Sequence, residues 1–379
     1  MKRNLILAPG PTQVPSRLCD VLGKPIIHHR TPQFQGYLKE VIEGLQYVLQ
    51  TKNDICLMAS SGTGAMEASV CSILSPGDKV ITVEGGKFGE RWTELCKAYG
   101  VEAQVMDVEW GKAVDPAAIK EALGKDKEIK AVFVTLCETS TGVTADIEAI
   151  GEVVKQTDAV LVADAVSGLG VTDLQTDNWA VDLVASASHK GLMLPPGVAF
   201  VSISEKAKAL IEKSTSPSYY FDLRKYLKSA TKTDTPFTPA IGVVIALSES
   251  LKMIKEAGID NLFKHYERLA KGTRAAMEAI GLTLFADESC ISNVLTSVNV
   301  PDGVDGVKLV KTMRDTHGIT MAGGQAQLKG KIFRMAHMGS LDEYDVLTGI
   351  ACIEKTLNSA GYKFNLGDGV AAAQKVFNS

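Results

Sequence analysis

The stretch that decides the fold reads Val181-Asp182-Leu183-Val184-Ala185-Ser186-Ala187-Ser188-His189-Lys190-Gly191. Its apolar run at 181–186 predicts a buried strand, which ends in small polar residues followed by a lysine and a glycine. A lysine at the end of a strand beside a buried site can lose its proton readily and form a Schiff base with a carbonyl compound. An exposed loop lysine has the same local sequence, so Lys190 by itself leaves both interpretations open.

Short apolar runs rich in valine recur on both sides of this stretch. They lie at 55–59, 80–83, 101–108, 131–136, 159–163, 181–186 and 198–202, and helical patterns lie at 35–50, 64–74, 91–99, 116–123 and 147–156. Such alternation is typical of a mostly parallel sheet that is covered by helices on both faces. The sequence therefore predicts an α/β domain built on a mostly parallel, seven-stranded sheet.

The two ends of the chain differ from this central region. Prolines exclude a helix from residues 1–15, which we expect to form an extended N-terminal arm. Downstream patterns are helical at 241–280 with a break at Gly258, strand-like at 294–300 and 331–335, and helical at 307–314, 342–360 and 370–377. We therefore predict a large domain at 16–257 and a smaller C-terminal α+β domain at 258–379.

Two further motifs stand at predicted strand ends. Ser60-Ser61-Gly62-Thr63-Gly64 follows one apolar run and opens a helix, where small residues let backbone N–H groups approach an anion. A plain structural turn has the same composition. Asp164 ends another run, and ligands of α/β sheets lie beyond the carboxyl ends of the strands, where a carboxylate can pair with a protonated ring nitrogen. A helix cap or a surface position is the other interpretation of Asp164.

The order of these motifs is more specific than any one of them. The anion-binding helix start comes first, then Asp164, and Lys190 follows 26 residues later, a separation that one strand–helix–strand unit allows. In this order the chain resembles fold type I pyridoxal-5′-phosphate (PLP) enzymes, and more closely the class V aminotransferases of the alanine–glyoxylate and serine–pyruvate group. The resemblance covers nearly the whole chain through Ala8-Pro9-Gly10-Pro11-Thr12, Ser61-Gly62-Thr63-Gly64, Phe88-Gly89, Glu138-Thr139-Ser140-Thr141-Gly142, Asp164, Ser188-His189-Lys190, Thr235-Pro236-Phe237-Thr238-Pro239 and Phe333-Arg334.

The resemblance implies an aminotransferase that moves an amino group from alanine or serine to glyoxylate or pyruvate by a ping-pong mechanism. It implies that Lys190 carries PLP and shuttles a proton, and that Asp164 holds the pyridinium N–H. The other cofactor-binding residues that it implies are Ser61, Gly62 and Thr63 at the phosphate, Phe88 and Val166 on the two ring faces, and Thr139, Ser188, His189, Thr235 and Thr238. Phe88 stands where many relatives have Trp or Tyr, so stacking is kept and an indole N–H contact is lost.

The segment with Thr235 and Thr238 resembles the piece that reaches the phosphate of the neighbouring subunit. The resemblance thus implies a homodimer with shared active sites, although some relatives have Tyr at the position of Thr235, which would shorten or remove that contact here.

Arg334 and Gly10 are the residues implied to bind substrate. The guanidinium fork of arginine matches a carboxylate with two parallel hydrogen bonds. The surrounding stretch at 331–335 alternates, so Arg334 shares a strand face with Ile332, which favours a buried arginine over a surface one. Small amino acids and 2-keto acids are therefore the expected partners.

Composition and charge are those of an ordinary globular protein. The chain of 379 residues is 45% hydrophobic and has a net charge of −4, which argues against nucleic acid or an anionic membrane as the main partner. Its 7 cysteines are scattered without any Cys-x-x-Cys, so we expect neither a disulfide framework nor an iron–sulfur site, and we expect no catalytic metal. The apolar run after Met1-Lys2-Arg3 is too short for a signal peptide or a membrane span, and we expect a cytoplasmic protein.

A basic cluster, His28-His29-Arg30, precedes Pro32. It fits an entrance or a dimer contact that selects acidic substrates, and it fits a solvated turn equally well.

Other functions remain open at this point. A cysteine desulfurase or lyase of the same fold would need a reactive cysteine on a mobile loop, and the candidate, Cys290, leads into a predicted strand. An aminophosphonate transaminase would be separated only by assay. A non-catalytic subunit of a redox complex that retains the fold is an alternative of another class. The presence of Lys190, Asp164 and Arg334 argues against this loss of catalysis. A nicotinamide dehydrogenase is disfavoured because no Gly-x-Gly-x-x-Gly follows an early strand.

Overall fold

The structure, a computed structural model, describes residues 4–379. The first three residues of the predicted arm therefore lie outside the described part of the chain. The strands are Leu5–Ile6 (β1), Asp54–Met58 (β2), Lys79–Glu84 (β3), Glu102–Asp107 (β4), Ile129–Thr135 (β5), Cys137–Glu138 (β6), Val143–Thr144 (β7), Val160–Asp164 (β8), Leu183–Ala187 (β9), Ala199–Ile203 (β10), Leu295–Asn299 (β11), Ile319–Thr320 (β12), Ala322–Gly323 (β13) and Ile332–Ala336 (β14).

The helices are Ser16–Leu22 (α1), Pro32–Leu49 (α2), Gly62–Ile73 (α3), Lys87–Ala98 (α4), Pro116–Lys125 (α5), Ile147–Val154 (α6), Glu205–Ile211 (α7), Leu223–Ala230 (α8), Ile241–Ala257 (α9), Ile259–Ala279 (α10), Gly306–His317 (α11), Glu343–Ser359 (α12) and Asp368–Phe377 (α13). Within residues 4–379, none of these helices combines the length and the apolar character that crossing a bilayer requires.

The central sheet has seven strands in the order β2-β10-β9-β8-β5-β3-β4. Strand β10 runs antiparallel to both β2 and β9, and all other neighbours in this sheet are parallel. Each of the seven strands corresponds to one of the apolar runs of the sequence. The prediction of a mostly parallel, seven-stranded α/β sheet is thus confirmed.

Helices cover both faces of the central strands of this sheet, which is why those strands are apolar along their whole length. In β5, Val132 and Val134 pack on the face that α2 and α9 cover. The intervening Ala131 and Phe133 pack on the opposite face, with Trp92 of α4. A strand buried on both faces has no polar side, so its sequence reads as a continuous apolar run.

The connection between β8 and β9 differs from the prediction. The separation of Asp164 and Lys190 allows a strand–helix–strand unit, but residues 165–182 form turns and bends between the two strands. A Cβ added to Gly191 would lie 2.3 Å from the carbonyl oxygen of Leu169, so this connection packs backbone against backbone beside the lysine.

The C-terminal part of the chain builds a second, smaller unit. Strands β11, β14 and β13 form an antiparallel sheet in that order, and α10, α11, α12 and α13 contribute to its apolar cluster. The N-terminal arm joins this unit, because β1 pairs in parallel with β12 and Leu5 and Leu7 are buried in the same cluster. The chain turns between α9 and α10 at Gly258, whose φ is +79°. The domain boundary at 257/258 stays a prediction.

The parallel arrangement brings the carboxyl ends of β2, β3, β5, β8 and β9 to one edge of the large sheet. Helix α3 begins shortly after β2, and α4 begins shortly after β3, so two helix N-termini point to the same edge. Such an edge is where α/β proteins bind ligands and where helix N-termini receive anions.

Candidate active site

Lys190 lies just beyond the carboxyl end of β9 and is only 8% exposed. Its Nζ donates a hydrogen bond to the carbonyl of Pro9 in the arm, and the Thr12 hydroxyl donates to its backbone carbonyl at 2.9 Å. Burial lowers the pKa of Lys190 to about 8, although the nearby charge of Asp164 acts in the other direction. The amine can therefore hold or release a proton close to neutral pH.

Asp164 is the last residue of β8 and is buried. Its Oδ1 accepts a hydrogen bond from the Val166 N–H at 2.8 Å. Burial raises the pKa of Asp164 to about 6, the charge of Glu138 raises it further, and Arg91 and Lys190 lower it. The carboxyl group is thus ionised at neutral pH and has an unused oxygen for a cationic partner.

The start of α3 forms the predicted cradle. Ser61 precedes the helix, and its side chain makes no capping hydrogen bond. A Cβ added to Gly62 would lie 2.5 Å from Cγ2 of Val166, and one added to Gly64 would lie 2.0 Å from Oγ of Ser60. Positions 62 and 64 therefore require glycine. The backbone N–H groups of this first helical turn have no partner within the helix and can bind a phosphate.

Phe88 lies in the first turn of α4 and is half-buried. The guanidinium carbon of Arg91 lies 5.1 Å from the centre of its ring, and Nη1 of Arg91 donates to Thr63 Oγ1 at 3.2 Å. Sequence reasoning missed Arg91. The signal was its position three residues after Phe88, which places both side chains on one helix face.

Arg334 on β14 is 5% exposed, and the hydrogen bonds of its guanidinium to the described residues all go to carbonyl oxygens. Nε and Nη2 donate to the Gly323 carbonyl at 3.0 and 2.7 Å, and Nη1 donates to the Thr139 carbonyl. Burial lowers the pKa of Arg334 to about 10, and Glu138 opposes this shift. The positive charge of a buried arginine that is hydrogen-bonded only by neutral groups is not neutralised, so it favours binding of an anion.

Gly10 is pressed against the lysine. A Cβ at this position would lie 2.4 Å from Cδ and 2.5 Å from Nζ of Lys190, and the φ of Gly10 is +110°. The structure therefore brings Gly10 into contact with Lys190, and Arg334 lies close enough for its charge to lower the pKa of the lysine.

Two predicted cofactor residues next to the lysine have different surroundings. The Ser188 hydroxyl donates to the Pro195 carbonyl at 2.7 Å, which ties the turn after β9. His189 Nδ1 is shielded from solvent and has no hydrogen-bond partner within the described residues. Burial lowers the pKa of His189 to about 4, so the ring is neutral and offers a free nitrogen to a bound group.

Thr235 and Thr238 are not brought to Lys190 by the contacts of their own chain. The Thr235 hydroxyl donates to the Phe237 carbonyl at 2.8 Å, and Arg30 Nη1 donates to the Thr235 carbonyl at 3.0 Å. Thr238 is exposed. Their role at a neighbouring subunit stays a prediction.

The basic cluster is partly neutralised. Arg30 forms an ion pair with Asp234, and the rings of His28 and His29 are tilted by 32° to each other with their centres 4.7 Å apart.

Cys290 does not resemble an activated thiol. It ends a short 3-10 turn, Glu288–Cys290, and its Sγ lies 3.7 Å from the Gly111 carbonyl. Burial raises the pKa of Cys290, which keeps the thiol protonated. Across residues 4–379, no group of three or more His, Cys, Asp or Glu side chains is arranged to hold a metal ion.

Glu138 is the second residue that sequence reasoning missed as part of the site. It is buried at the end of β6, and its carboxylate accepts the backbone N–H groups of Phe88 and Gly89. The signal was an acidic residue directly after a buried apolar strand, in a run otherwise made of small polar residues.

Comparison with known proteins identifies the family of this chain. The family model for class-V aminotransferases matches residues 16–339. A protein of a Synechococcus strain, named the small subunit of a soluble hydrogenase, is 42% identical over 379 residues, covering 99% of this chain and 98% of that protein. The L-aspartate–glyoxylate aminotransferase of Paracoccus denitrificans is 36% identical over 379 residues, covering 98% and 96%. The crystal structure of the ureidoglycine–glyoxylate aminotransferase of Bacillus subtilis matches with a TM-score of 0.96 at 30% identity, covering 100% of this chain and 99% of that one.

Proposed function

Because the chain belongs to the class-V aminotransferase family, whose members depend on PLP, we propose that it transfers an amino group from a small amino acid, alanine or serine, to glyoxylate or pyruvate. The observation that supports the proposal is the grouping of three buried ionisable residues, because Asp164 and Arg334 both lie close enough to Lys190 for their charges to shift its pKa. Two of the relatives named above differ in their amino donor and share glyoxylate, which favours glyoxylate as the acceptor.

The residues present fit PLP. Lys190 would hold it through Nζ, the start of α3 would receive its phosphate, and Asp164 would accept a hydrogen bond from its ring nitrogen. His189 Nδ1, which lacks a partner within the described chain, lies beside the lysine. When bound, PLP supplies an aromatic ring that accepts electron density from the substrate carbon.

Lys190 moves the proton in this scheme. Since the pKa of Lys190 is about 8, a fraction of the protein molecules has an unprotonated amine at neutral pH, and its Nζ can take the Cα proton of the substrate. Asp164 remains ionised under the same conditions because its pKa is about 6. The two groups thus hold opposite charge states over the pH range between these values.

Arg334 binds the substrate carboxylate. Its partners are carbonyl oxygens, so a carboxylate is the first full negative charge that the guanidinium would meet directly. Amino acid and keto acid carry the same carboxylate, and one arginine therefore serves both halves of a ping-pong reaction.

A homodimer in the cytoplasm belongs to the same proposal. The exposed Thr238 and the carbonyl-bonded Thr235 lie on a segment that would contribute to the phosphate site of the second subunit. All seven cysteines are free, as is usual in a reducing compartment.

A non-catalytic subunit of a redox complex is the second candidate, and the Synechococcus relative favours it. The buried charges argue for retained catalysis. Removing ionisable groups from water costs stability, and a subunit with a purely structural role would be more stable with apolar residues in place of Lys190 and Arg334.

The test is the visible absorbance of the purified protein with PLP, followed by addition of L-alanine or L-serine without a keto acid. A visible band that disappears on addition of one amino acid, and returns with glyoxylate or pyruvate, is the expected result. A band that ignores both donors would refute the substrate proposal, and aspartate, cysteine and aminophosphonates would be tried next. A protein that binds no PLP would refute the whole assignment and favour the redox subunit.

A further inference from the structure

Glu138 is buried, and each of its two carboxylate oxygens accepts two hydrogen bonds. Oε2 accepts the N–H groups of Phe88 and Gly89 at 3.0 and 2.9 Å, and Oε1 accepts the N–H and the hydroxyl of Ser140 at 3.0 and 2.5 Å. An ionised carboxylate only accepts hydrogen bonds and has about four sites for them. The four donors therefore occupy all of these acceptor sites.

These bonds join two segments that the chain separates widely. Phe88 and Gly89 belong to the first turn of α4, whose N–H groups have no partner within the helix. Ser140 belongs to the turn after β6, and its hydroxyl also accepts the Lys87 N–H at 3.0 Å. A Cβ added to Gly86 would lie 2.3 Å from Ser140 Oγ and 2.5 Å from Cδ of Glu138, so the junction is closely packed.

Each segment carries a proposed site residue. Phe88 lies at the ring face, and Thr139, next to Glu138, accepts a hydrogen bond from the substrate arginine, Arg334. From this geometry we infer that Glu138 is a positioning residue of the aminotransferase reaction: it fixes the ring-stacking side chain and the substrate arginine at a set separation. The inference rests on the proposed function.

A second buried carboxylate provides a matched control. Glu354 on α12 accepts the N–H groups of Gly367, Gly369 and Val370 at 2.7, 2.8 and 3.1 Å, at the start of α13. It has the same chemistry and burial as Glu138 but lies in the C-terminal unit, away from the sheet edge. Glu138→Gln and Glu354→Gln therefore remove the same charge and the same acceptor from two helix starts.

The experiment compares the two variants as full chains freed of PLP. Both should unfold at lower temperature than the unaltered protein, because an amide leaves backbone donors unpaired. Only Glu138→Gln should weaken PLP binding, by about 10-fold in the dissociation constant, since one misplaced donor costs about that factor. After reloading, only Glu138→Gln should lower kcat/KM for the amino donor, by about 100-fold.

A pH profile separates positioning from plain stability. The charged groups that face Asp164 are Glu138, Arg91 and Lys190, and Glu138 is the one that raises its pKa. In Glu138→Gln the acid limb of PLP affinity should therefore move to lower pH, because Asp164 stays ionised further down. Glu354→Gln should leave that limb in place.

Equal PLP affinity and equal acid limbs in the two variants would overturn the inference. If Glu138→Gln does not fold, Ser140→Ala removes one donor and keeps the carboxylate, and it should weaken PLP binding by about 3-fold. Unchanged binding in Ser140→Ala would then overturn it. Failure of the proposed function is distinct, because in that case the unaltered protein would itself bind no PLP.

Discussion

Replacing Lys190 by methionine should stabilise the cofactor-free protein, because the side chain that carries the amine is largely buried. Burial lowers the pKa of Lys190 from its ordinary 10.5 to about 8. At about 1.4 kcal/mol for each tenfold change in proton affinity, folding the charged lysine costs about 3 kcal/mol at pH 7. Methionine removes this cost but leaves the Pro9 carbonyl without its donor, which takes back about 1 kcal/mol. The expected net gain is about 2 kcal/mol.

The sign of the pH dependence follows from the same shift. The folded-state pKa of this base is below its unfolded value, so the cost is present in full below about pH 8 and disappears as the pH rises toward 10.5. Asp164 reduces the gain at pH 7, because without the lysine charge its own pKa rises further. The advantage of Lys190→Met should therefore be largest near neutral pH and absent at pH 10.5.

The assay is urea unfolding of both cofactor-free proteins at neutral and alkaline pH. Lys79→Met is the control with the opposite environment, because ion pairs with Glu128 and Asp126 raise the pKa of Lys79 and its loss should destabilise. The reasoning would be refuted if Lys190→Met had a lower free energy of unfolding than the unaltered chain at pH 7. It would also be refuted if the gain in this free energy were the same at both pH values.

Three further changes test the site. Gly10→Ala should displace the lysine side chain and abolish transamination. Gly303→Ala is the control, because Gly303 also has a positive φ, +81°, but a Cβ there would meet nothing within 4 Å among residues 4–379, and this variant should react normally. Equal activity of the two variants would contradict the packing of Gly10 against Lys190. Arg334→Lys should raise KM for the amino donor about 100-fold through loss of the paired hydrogen bonds, with a smaller change in kcat, and an unchanged KM would remove this arginine from the substrate site. Asp164→Asn should slow the half-reaction on the order of 1000-fold, measured by stopped-flow absorbance, and a near-native rate would exclude the charge pairing.

The large sheet was predictable because its signal is local. Each central strand is buried on both faces, so a valine-rich run marks it without knowledge of its neighbours. The crossover at 165–182 was not predictable, since its turns depend on the close approach of Gly191 to Leu169, a contact between segments that the sequence does not relate. The edge strand β4 is largely exposed, and it was predicted because it fits the regular alternation of strands and helices along the chain.

The site was predictable where chemistry is carried by one residue at a strand end. Lys190 and Asp164 are of that kind. Glu138 was not found, because its four donors come from two segments some fifty positions apart and only the folded chain brings them to one carboxylate. The partners of Arg334 were hidden for the same reason, as its donors meet backbone carbonyls that no side-chain pattern encodes.

The pairing of the N-terminal arm with the C-terminal unit has a consequence for synthesis. Leu5 pairs with Ile319, and Ala336 donates its N–H to the Leu7 carbonyl, so the arm leaves the ribosome long before its partners. At roughly 5–20 residues per second, this delay is on the order of 15–60 s. Lys190 is also made before β12, so for part of this delay the lysine is present while the arm that carries Pro9 and Thr12 has no strand to pair with. The strand pairing that holds the arm beside Lys190 can therefore form only after residue 320 has been made.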